Sequence, residues 1–267
     1  HGDRDTTARY SFPTRRSSDL KIADGQELTR KQDQVTLTGW AMETRVYAED
    51  PFREFLPSTG RLVRYQPPAE SETVRVDTGV FEGGEISMYY DPMVAKLITY
   101  GETRDQAIAE MRSALDAYYI RGISHNIPFL AAVMANKRFQ DGNITTNFIA
   151  EEYPNGFSAD DLPNDDPATL IVVAAYLNQR YVERNSGISG QMSDHPLEVS
   201  ESWVAVSGED HTAFDIEFDG VNGDYIVAIG DRSYGVVSDW KIGDAMFVGE
   251  IDGAPVCVQI DIDGIGF

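Results

Sequence analysis

The 267-residue chain has 44 acidic and 22 basic side chains, a formal net charge of −22 at pH 7, and 42% hydrophobic residues, which suffices for one or two domains with ordinary cores. Most of the excess negative charge lies in the second half. Residues 1–150 hold 18 basic and 21 acidic side chains, whereas residues 151–267 hold 4 basic and 23 acidic ones. Such a surface repels phosphates and anionic lipids, so we expect no nucleic-acid and no membrane partner. Cys257 is the single cysteine, which excludes an internal disulfide. This fits a reducing compartment, so we expect the chain in the cytoplasm.

The first residues differ in pattern from the rest. Residues 1–19 have no apolar periodicity and no signal-peptide core. We predict that they are a non-native leader, such as translated sequencing adapter, and a flexible native linker is the alternative. After them we predict a first domain over residues 20–157 and a second, incomplete domain over residues 158–267.

The first domain contains strand patterns followed by helical ones. Runs rich in Val, Thr and aromatic residues predict strands over residues 35–48, 61–65, 73–77 and 95–100. Thr103 and Gln106 form a capping-box signature, and apolar residues at helical spacing, Tyr118 among them, predict a helix that stops at Gly122. A second helix is predicted from Asn126 to about Asn136.

One arginine lies among carboxylates on the first predicted strand. Because alternate side chains of a strand share a face, one side should carry Glu43, Arg45, Tyr47 and Glu49, and the other should carry Met42, Thr44 and Val46. Arg45 is therefore expected between two acids. A structural ion pair on a half-buried strand is the simplest interpretation of this pattern, because such pairs are common and contribute little stability.

Several short motifs follow one another at defined spacings. A Glu-x-Arg pattern ends at Arg45, and a small-Glu-Asp-Pro turn follows at residues 48–51. The later motifs are FLPSTG at residues 55–60, VRVD at 74–77, YYDPM at 89–93, KLI at 96–98 and GETR at 101–104. Together these residues make the first domain similar to the C-terminal part of biotin carboxylases. The resemblance implies an α+β fold in which an antiparallel sheet is accompanied by helices.

The resemblance also implies a catalytic role for Arg45. In biotin carboxylases ATP activates bicarbonate as carboxyphosphate, which gives carbon dioxide to deprotonated biotin. The arginine at this position is implied to hold the biotin ureido oxygen and the bicarbonate-derived group. A planar, permanently cationic fork suits the charge that develops on that oxygen better than a lysine would. The implied cofactors are biotin, ATP and Mg²⁺, with bicarbonate as a substrate.

Three further residues are singled out by the same resemblance. Arg75 matches an arginine near the family's dimer interface, although an exposed strand arginine is the simpler interpretation. Thr146 and Asn147 align with a segment that touches the adenine of ATP in biotin carboxylases. The bacterial pattern there is Ile-His, so the resemblance implies only that the backbone of Thr146 and Asn147 lies near the adenine.

The sequence shows no glycine-rich phosphate loop, no Glu and Asn pair for Mg²⁺ and no Ala-Met-Lys-Met biotinylation segment. We therefore expect this fragment to be inactive by itself.

The second domain combines one long helix with short strands. A helix is predicted from its end signals, with Asp166 as N-cap, Pro167 at the first helical position and Gly187 as terminator. The first half of this helix, residues 170–177, is apolar on every side, so we expect it to be enclosed by other parts of the protein. Alternation over residues 214–219 is typical of a strand with one buried face. The predicted strands cover residues 203–206, 212–218, 225–229, 234–237, 245–251 and 256–262. They are expected to form an antiparallel barrel or half-barrel around the helix.

A helix inside such a barrel, directly after a biotin carboxylase region, resembles the BT domain of propionyl-CoA carboxylase alpha subunits. The junction FIAEEYP at residues 148–154 is similar to the same subfamily. The resemblance implies a domain without catalytic residues that docks the carboxyltransferase (beta) subunit, with the biotin carboxyl carrier domain as a further partner. We expect the barrel to be truncated at residue 267.

Other functions stay open at this point. The chain is alternatively a non-catalytic interaction module, or part of a methylcrotonyl-, geranyl- or acetyl-CoA carboxylase subunit, because acyl selection belongs to the carboxyltransferase. A carbohydrate-active β-rich protein would use Glu217 and Asp219 as its acid pair. Strand alternation points both outward in a charge-rich stretch, which favours a solvated surface.

Overall fold

The computed structural model describes most of the chain, in two units. The described residues are 20–27, 31–163, 166–189, 199–219 and 224–262. The predicted leader, residues 1–19, lies outside them. One unit comprises residues 1–39, in which residues 20–23 are helical and Gln32–Gln34 form a short 3-10 helix. The second unit comprises Trp40–Phe267.

The second unit opens with a three-stranded antiparallel sheet and several short strands. In chain order the strands are β1 (Trp40–Tyr47), β2 (Glu49–Asp50), β3 (Leu56–Pro57), β4 (Gly60–Arg61), β5 (Arg64–Gln66), β6 (Val74–Thr78), β7 (Glu85–Ile86) and β8 (Met93–Gly101). The sheet has the order β1-β8-β6, while β2 pairs with β3 and β4 with β7. The strand predicted from residue 35 begins only at Trp40, because its partner β8 ends opposite it at Gly101.

Helices follow the sheet, with one strand between them. In chain order these elements are α1 (Arg104–Asp116), β9 (Tyr119–Arg121), α2 (Ile127–Ala135), α3 (Lys137–Gln140) and α4 (Phe148–Glu152). The predicted capping box is present: the Gln106 N–H donates to Thr103 Oγ1, and the Thr103 N–H donates to Gln106 Oε1, both at 3.2 Å. The helix ends earlier than predicted, since Tyr118 leads into β9, which pairs with β5. A three-residue strand has no periodicity by which the sequence could predict it.

Gly122 follows β9 at a close backbone crossing. Its φ is +102°, and a Cβ at this position would lie 2.3 Å from the Arg61 carbonyl oxygen. Glycine is the residue that tolerates both the backbone conformation and the contact. The residue that the sequence pattern presents as a helix terminator therefore serves a packing role.

The first core lies between the inner face of the sheet and α1. Alternation along β1 turns Thr44 and Val46 inward, as predicted, and both are buried. The Thr44 hydroxyl donates to Met111 Sδ at 3.4 Å. The predicted apolar face of α1 is buried and consists of Ala107, Ile108, Met111, Ala114 and Leu115. Each large apolar side chain buried here stabilises the fold by about 1.5–3 kcal/mol.

The second core is formed by one helix and a curled six-stranded half-barrel. In chain order the elements are α5 (Ala168–Ser186), β10 (Ser202–Ser207), β11 (Asp210–Asp219), β12 (Asp224–Ile229), β13 (Arg232–Ser238), β14 (Met246–Ile251) and β15 (Ala254–Gln259). The strands pair antiparallel in sequential order. Residues 172–177 of the helix pack against inward-facing side chains from the strands, among them Phe214, Tyr225 and Phe247.

Two details of this region differ from the sequence prediction. Leu170 is 63% exposed, so the prediction that the first half of the helix is enclosed on every side is wrong for this residue. A half-barrel covers one side of a helix and leaves the other open. Phe218 is 56% exposed, although the alternation predicts it inward; its ring contacts Tyr225 at 5.4 Å between centroids, at the end of the β11–β12 ladder.

The two cores are joined by a polar cluster that we call the junction, defined by Tyr119, Arg121, Gln259 and Asp261. The Arg121 guanidinium donates to Asp261 through Nε at 2.9 Å and through Nη2 at 2.5 Å. The Tyr119 hydroxyl donates to the same carboxylate at 3.2 Å. Gln259 Nε2 donates at 3.1 Å to the carbonyls of Asp116 and Tyr118. The end of α1 and strand β9 are thereby tied to the last strand of the half-barrel.

Candidate functional site

The outer face of the β1-β8-β6 sheet carries the predicted arginine in a row of charges. Arg45 on β1 lies opposite Lys96 on β8, and Lys96 lies opposite Asp77 on β6. Because cross-strand partners point to the same face, these three side chains stand next to one another. The adjacent row on that face is Glu43, Ile98 and Arg75. We call the two rows the charged face.

Arg45 is accessible on this face. Its Nε lies 3.7 Å from Glu43 Oε1, and its side chain is 57% exposed. A hydrogen bond with Tyr47 and the charge of Glu43 raise the pKa of the guanidinium. The predicted second acid behaves differently: burial and the neighbouring Asp91 raise the pKa of Glu49. Arg45 therefore has Glu43 and Tyr47 as its close partners and presents the rest of its fork to solvent.

Arg75 shares the charged face but is bound to a partner. Its Nε and Nη2 donate to the two carboxylate oxygens of Asp77 at 2.9 and 2.6 Å. This bidentate bond raises the pKa of Arg75 further above its ordinary value. The structure thus brings Arg45 and Arg75 onto one face, on strands that flank β8, and Asp77 balances the charge of Arg75.

Thr146 and Asn147 lie elsewhere, in the exposed turn before α4. The Asn147 N–H donates to Thr145 Oγ1 at 3.2 Å, and its carbonyl accepts the Glu151 N–H at 3.0 Å. Across the described ranges, no hydrogen bond or ion pair links Thr146 or Asn147 to the charged face. The Asn147 N–H and carbonyl are thus hydrogen-bonded within their own turn, and both residues of the turn are exposed.

Two residues at this site were not predicted from the sequence. Lys96 belongs to a recognised motif, and its signal was a single cation in an otherwise apolar strand. Asn126 has the position of a helix N-cap, but its side chain caps nothing in α2. Instead, Asn126 Oδ1 accepts the Tyr47 N–H at 2.8 Å, and Nδ2 donates to the Arg45 carbonyl at 3.1 Å. No local pattern could indicate this contact, because its partners are far away in sequence.

No group of three or more His, Cys, Asp or Glu side chains in the described ranges is arranged to hold a metal ion, so no residue there is assigned to Mg²⁺. No described helix is both long enough and apolar enough to cross a bilayer.

Two protein families match this chain. Residues 43–151 match the family described as biotin carboxylase C-terminal domain. Residues 170–267 match the family described as propionyl-coenzyme A carboxylase BT domain. The chain contains a biotin carboxylase C-terminal domain followed by a BT domain. The predicted resemblance and the predicted fold class are confirmed, and Arg45, Arg75, Lys96 and Asn126 all lie in the first domain.

The relatives are biotin-dependent carboxylases. The propionyl-CoA carboxylase alpha chain of Ruegeria pomeroyi is 43% identical, over 93% of this chain and 39% of the relative. The mitochondrial propionyl-CoA carboxylase alpha chain of Caenorhabditis elegans is 40% identical, over 90% and 35%. The mitochondrial methylcrotonoyl-CoA carboxylase subunit alpha of Dictyostelium discoideum is 37% identical, over 62% and 24%. The chain thus spans well under half the length of these relatives.

A solved structure is similar to part of this chain. It is the biotin carboxylase domain of the Hydrogenobacter thermophilus 2-oxoglutarate carboxylase in complex with MgADP, ADP and bicarbonate. It is 39% identical with a TM-score of 0.48, and the match covers 51% of this chain and 29% of that one.

Proposed function

We propose that this chain is part of the biotin carboxylase subunit of a propionyl-CoA carboxylase, in which ATP and bicarbonate are used to carboxylate biotin. The observation that carries this proposal is the exposed fork of Arg45 on the charged face of a biotin carboxylase C-terminal domain. The choice of the propionyl enzyme is supported by the alpha chain that matches 93% of this chain, against 62% for the methylcrotonoyl relative.

In this proposal Arg45 stabilises negative charge on biotin. The ureido nitrogen is a poor nucleophile until it loses its proton, and the charge then develops on the ureido oxygen. The N–H groups of Arg45 donate to that oxygen, where an ionic hydrogen bond is stronger than a neutral one. Glu43 and Tyr47 hold the guanidinium charged and oriented. Lys96 adds a second positive charge to the row, which favours the bicarbonate anion.

Bound MgATP would supply the activated phosphoryl group for bicarbonate. Thr146 and Asn147 stay the proposed adenine edge, and their exposure supports this assignment. Arg75 stays a proposed interface residue. Its bidentate pair with Asp77 presents a rigid, nearly neutral surface, which costs less to bury against a partner than a lone charge would.

The test uses the full-length carboxylase subunit that includes this chain, with free biotin as substrate. Arg45→Ser should lower kcat/KM for biotin by about 10²–10³-fold, the loss that follows removal of an oxyanion donor. Arg45→Lys should recover only part of the activity, because a lysine lacks the planar fork. Arg64→Ser is the matched control: Arg64 is also exposed and also pairs with one acid, Glu82, at 3.4 Å. Unchanged turnover in Arg45→Ser would remove Arg45 from the mechanism.

The BT domain has a separate proposed role, the docking of the carboxyltransferase (beta) subunit. Its interior is filled by α5 and apolar side chains, while its outer surface exposes Val204 at 57%, Val206 at 63% and Val248 at 60%. Val204 and Val206 are alternate residues of the edge strand β10 and share a face, and adjacent exposed apolar side chains on a folded domain favour protein contact. The biotin carboxyl carrier domain is the second proposed partner, and it would deliver biotin to the charged face.

A pull-down with the purified beta subunit tests the docking role. The full chain should retain the beta subunit, and deletion of residues 158–267 should abolish the binding. Equal binding after the deletion would assign docking to the first domain instead. The proposed location is the cytoplasm, and relatives described as mitochondrial make the mitochondrion the alternative.

A further inference from the structure

Strand β1 lies at the edge of its sheet, since the strand order is β1-β8-β6. The Ala48 N–H turns to β8 and donates to the Pro92 carbonyl at 2.9 Å, so by alternation the backbone groups of Tyr47 and Arg45 turn to the open edge. Next to them the pairing shifts register: Val46 lies opposite Ala95 and Tyr47 opposite Met93, which leaves Val94 as an extra residue on β8. The edge groups on either side of Val46 must find other partners, since buried unpaired polar groups are costly.

Asn126 supplies those partners. Its side-chain oxygen accepts the Tyr47 N–H at 2.8 Å, its side-chain nitrogen donates to the Arg45 carbonyl at 3.1 Å, and its own N–H donates to the Tyr47 carbonyl at 3.1 Å. Asn126 is 6% exposed, so water cannot readily replace these bonds. Both polar atoms of one amide are therefore used to fix the open edge of β1 on both sides of Val46.

Helix α2 is built so that this side chain stays available. An asparagine directly before a helix ordinarily accepts an N–H of the first turn, but Asn126 makes no such bond. Pro128 at the second helical position has no N–H to satisfy, which removes one of the donors that a cap would serve.

We propose that Asn126 is a positioning residue for Arg45: its amide sets the backbone at the open edge of β1 and thereby the direction in which the guanidinium projects from the charged face. This inference rests on the proposed function of Arg45. Asn126 touches neither biotin nor bicarbonate in this scheme and acts through the β1 backbone alone.

Kinetics of the full-length subunit provide the first test. Asn126→Ala should lower kcat for biotin carboxylation by about 10–100-fold, as expected for a misplacement of about 1 Å, and leave KM for ATP unchanged. Asn126→Asp keeps the acceptor for the Tyr47 N–H but loses the donor to the Arg45 carbonyl, so its kcat should lie between those of the wild type and Asn126→Ala. In an Arg45→Ser background, Asn126→Ala should cause no further loss, because its effect passes through Arg45.

Thr99→Val is the matched control. Thr99 is fully buried in β8 of the same sheet, and its hydroxyl donates to the Ala107 carbonyl at 2.7 Å. This variant loses one buried bond to the backbone of α1 and none to the backbone of β1, so kcat should stay near the wild-type value. If Thr99→Val lowers kcat as much as Asn126→Ala does, or if Asn126→Ala lowers kcat equally in both backgrounds, the role of Asn126 is merely structural and the proposal is overturned.

Amide hydrogen exchange on the 267-residue chain tests the anchor without any activity. The Tyr47 N–H should be protected in the wild type and should exchange at least tenfold faster in Asn126→Ala, while the N–H groups of α1 keep their protection. Unchanged protection of Tyr47 would overturn the anchor. The two proposals fail separately: full activity of Arg45→Ser refutes the proposed function, whereas an inactive Arg45→Ser with a fully active Asn126→Ala refutes only the positioning role.

Discussion

The junction predicts that one ion pair couples the two domains energetically. Asp261 Oδ1 accepts Arg121 Nε at 3.0 Å, Oδ2 accepts Arg121 Nη2 at 2.5 Å, and the carboxylate also accepts the Tyr119 hydroxyl. The side chain of Arg121 is 29% exposed and that of Asp261 is 61% exposed. An exposed pair contributes about 0.2–1 kcal/mol, and bidentate geometry with partial burial places this pair at the upper end. We therefore expect a coupling energy of about 1 kcal/mol.

A double-mutant cycle measures that coupling directly. Arg121→Gln, Asp261→Asn and the double variant are compared with wild type by thermal unfolding. The single variants should each lower Tm by about 2–4 °C, and the double variant by less than their sum. The matched control is the pair Arg232 and Asp166, which lies within the BT domain and has a single 3.1 Å contact between side chains 62% and 36% exposed. Its coupling should stay below about 0.5 kcal/mol.

The same pair predicts a pH dependence. Hydrogen bonds from Arg121 are the main cause that lowers the pKa of Asp261 below its ordinary value. A carboxylate with a lowered pKa in the folded state stabilises the fold above the unfolded pKa, about 3.9, and this stabilisation is lost as pH falls through the folded pKa. The Tm difference between wild type and Asp261→Asn should therefore be full at pH 6 and shrink below about pH 4. A coupling no larger than that of the control pair, or a difference that grows in acid, would refute this account of the junction.

Two further predictions concern packing. Leu177→Ala should lower the free energy of unfolding in urea by about 2–5 kcal/mol, because Leu177 is 2% exposed in the second core. Leu170→Ala, on the exposed side of the same helix, should change it by no more than about 0.5 kcal/mol. Equal losses in the two variants would contradict the half-barrel. Gly122→Ala should lower the free energy of unfolding by more than about 2 kcal/mol, since it combines a positive φ with a clash against the Arg61 carbonyl. Gly156→Ala, at φ +85° in open space, should lower it by about 1 kcal/mol, the backbone strain alone. Equal losses would show that the clash at Gly122 is relieved.

Local patterns predicted the elements well wherever the pattern itself is the cause of the structure. The capping box of α1 is formed by Thr103 and Gln106, three residues apart. Alternation placed Arg45 on the outer face of β1 and Val46 in the core. The strands of the half-barrel, β10 to β15, begin and end within a few residues of their predicted bounds. Each of these features depends on neighbours within a few positions along the chain.

The candidate site was predicted only in part, for the same reason. The order of the motifs indicated the family and hence Arg45. The partner of Arg45 was predicted wrongly in one respect, because the environment of Glu49 is set by its burial and by Asp91 rather than by the arginine. The cross-strand neighbour Lys96 follows from the register of β1 with β8, which two strands acquire only when they pair.

The sequence by itself determined the family, the periodicity of the main helices and strands, and which face of β1 is polar, because these follow from side-chain chemistry at short spacing. Tertiary structure alone decided which distant groups meet. Asn126 reaches the backbone of Arg45 and Tyr47 across 81 and 79 positions, and Arg121 reaches Asp261 across 140. Such bonds form because buried backbone groups at a strand edge and paired charges must be satisfied. The fold, not the local sequence, decides which side chain is near enough to do so.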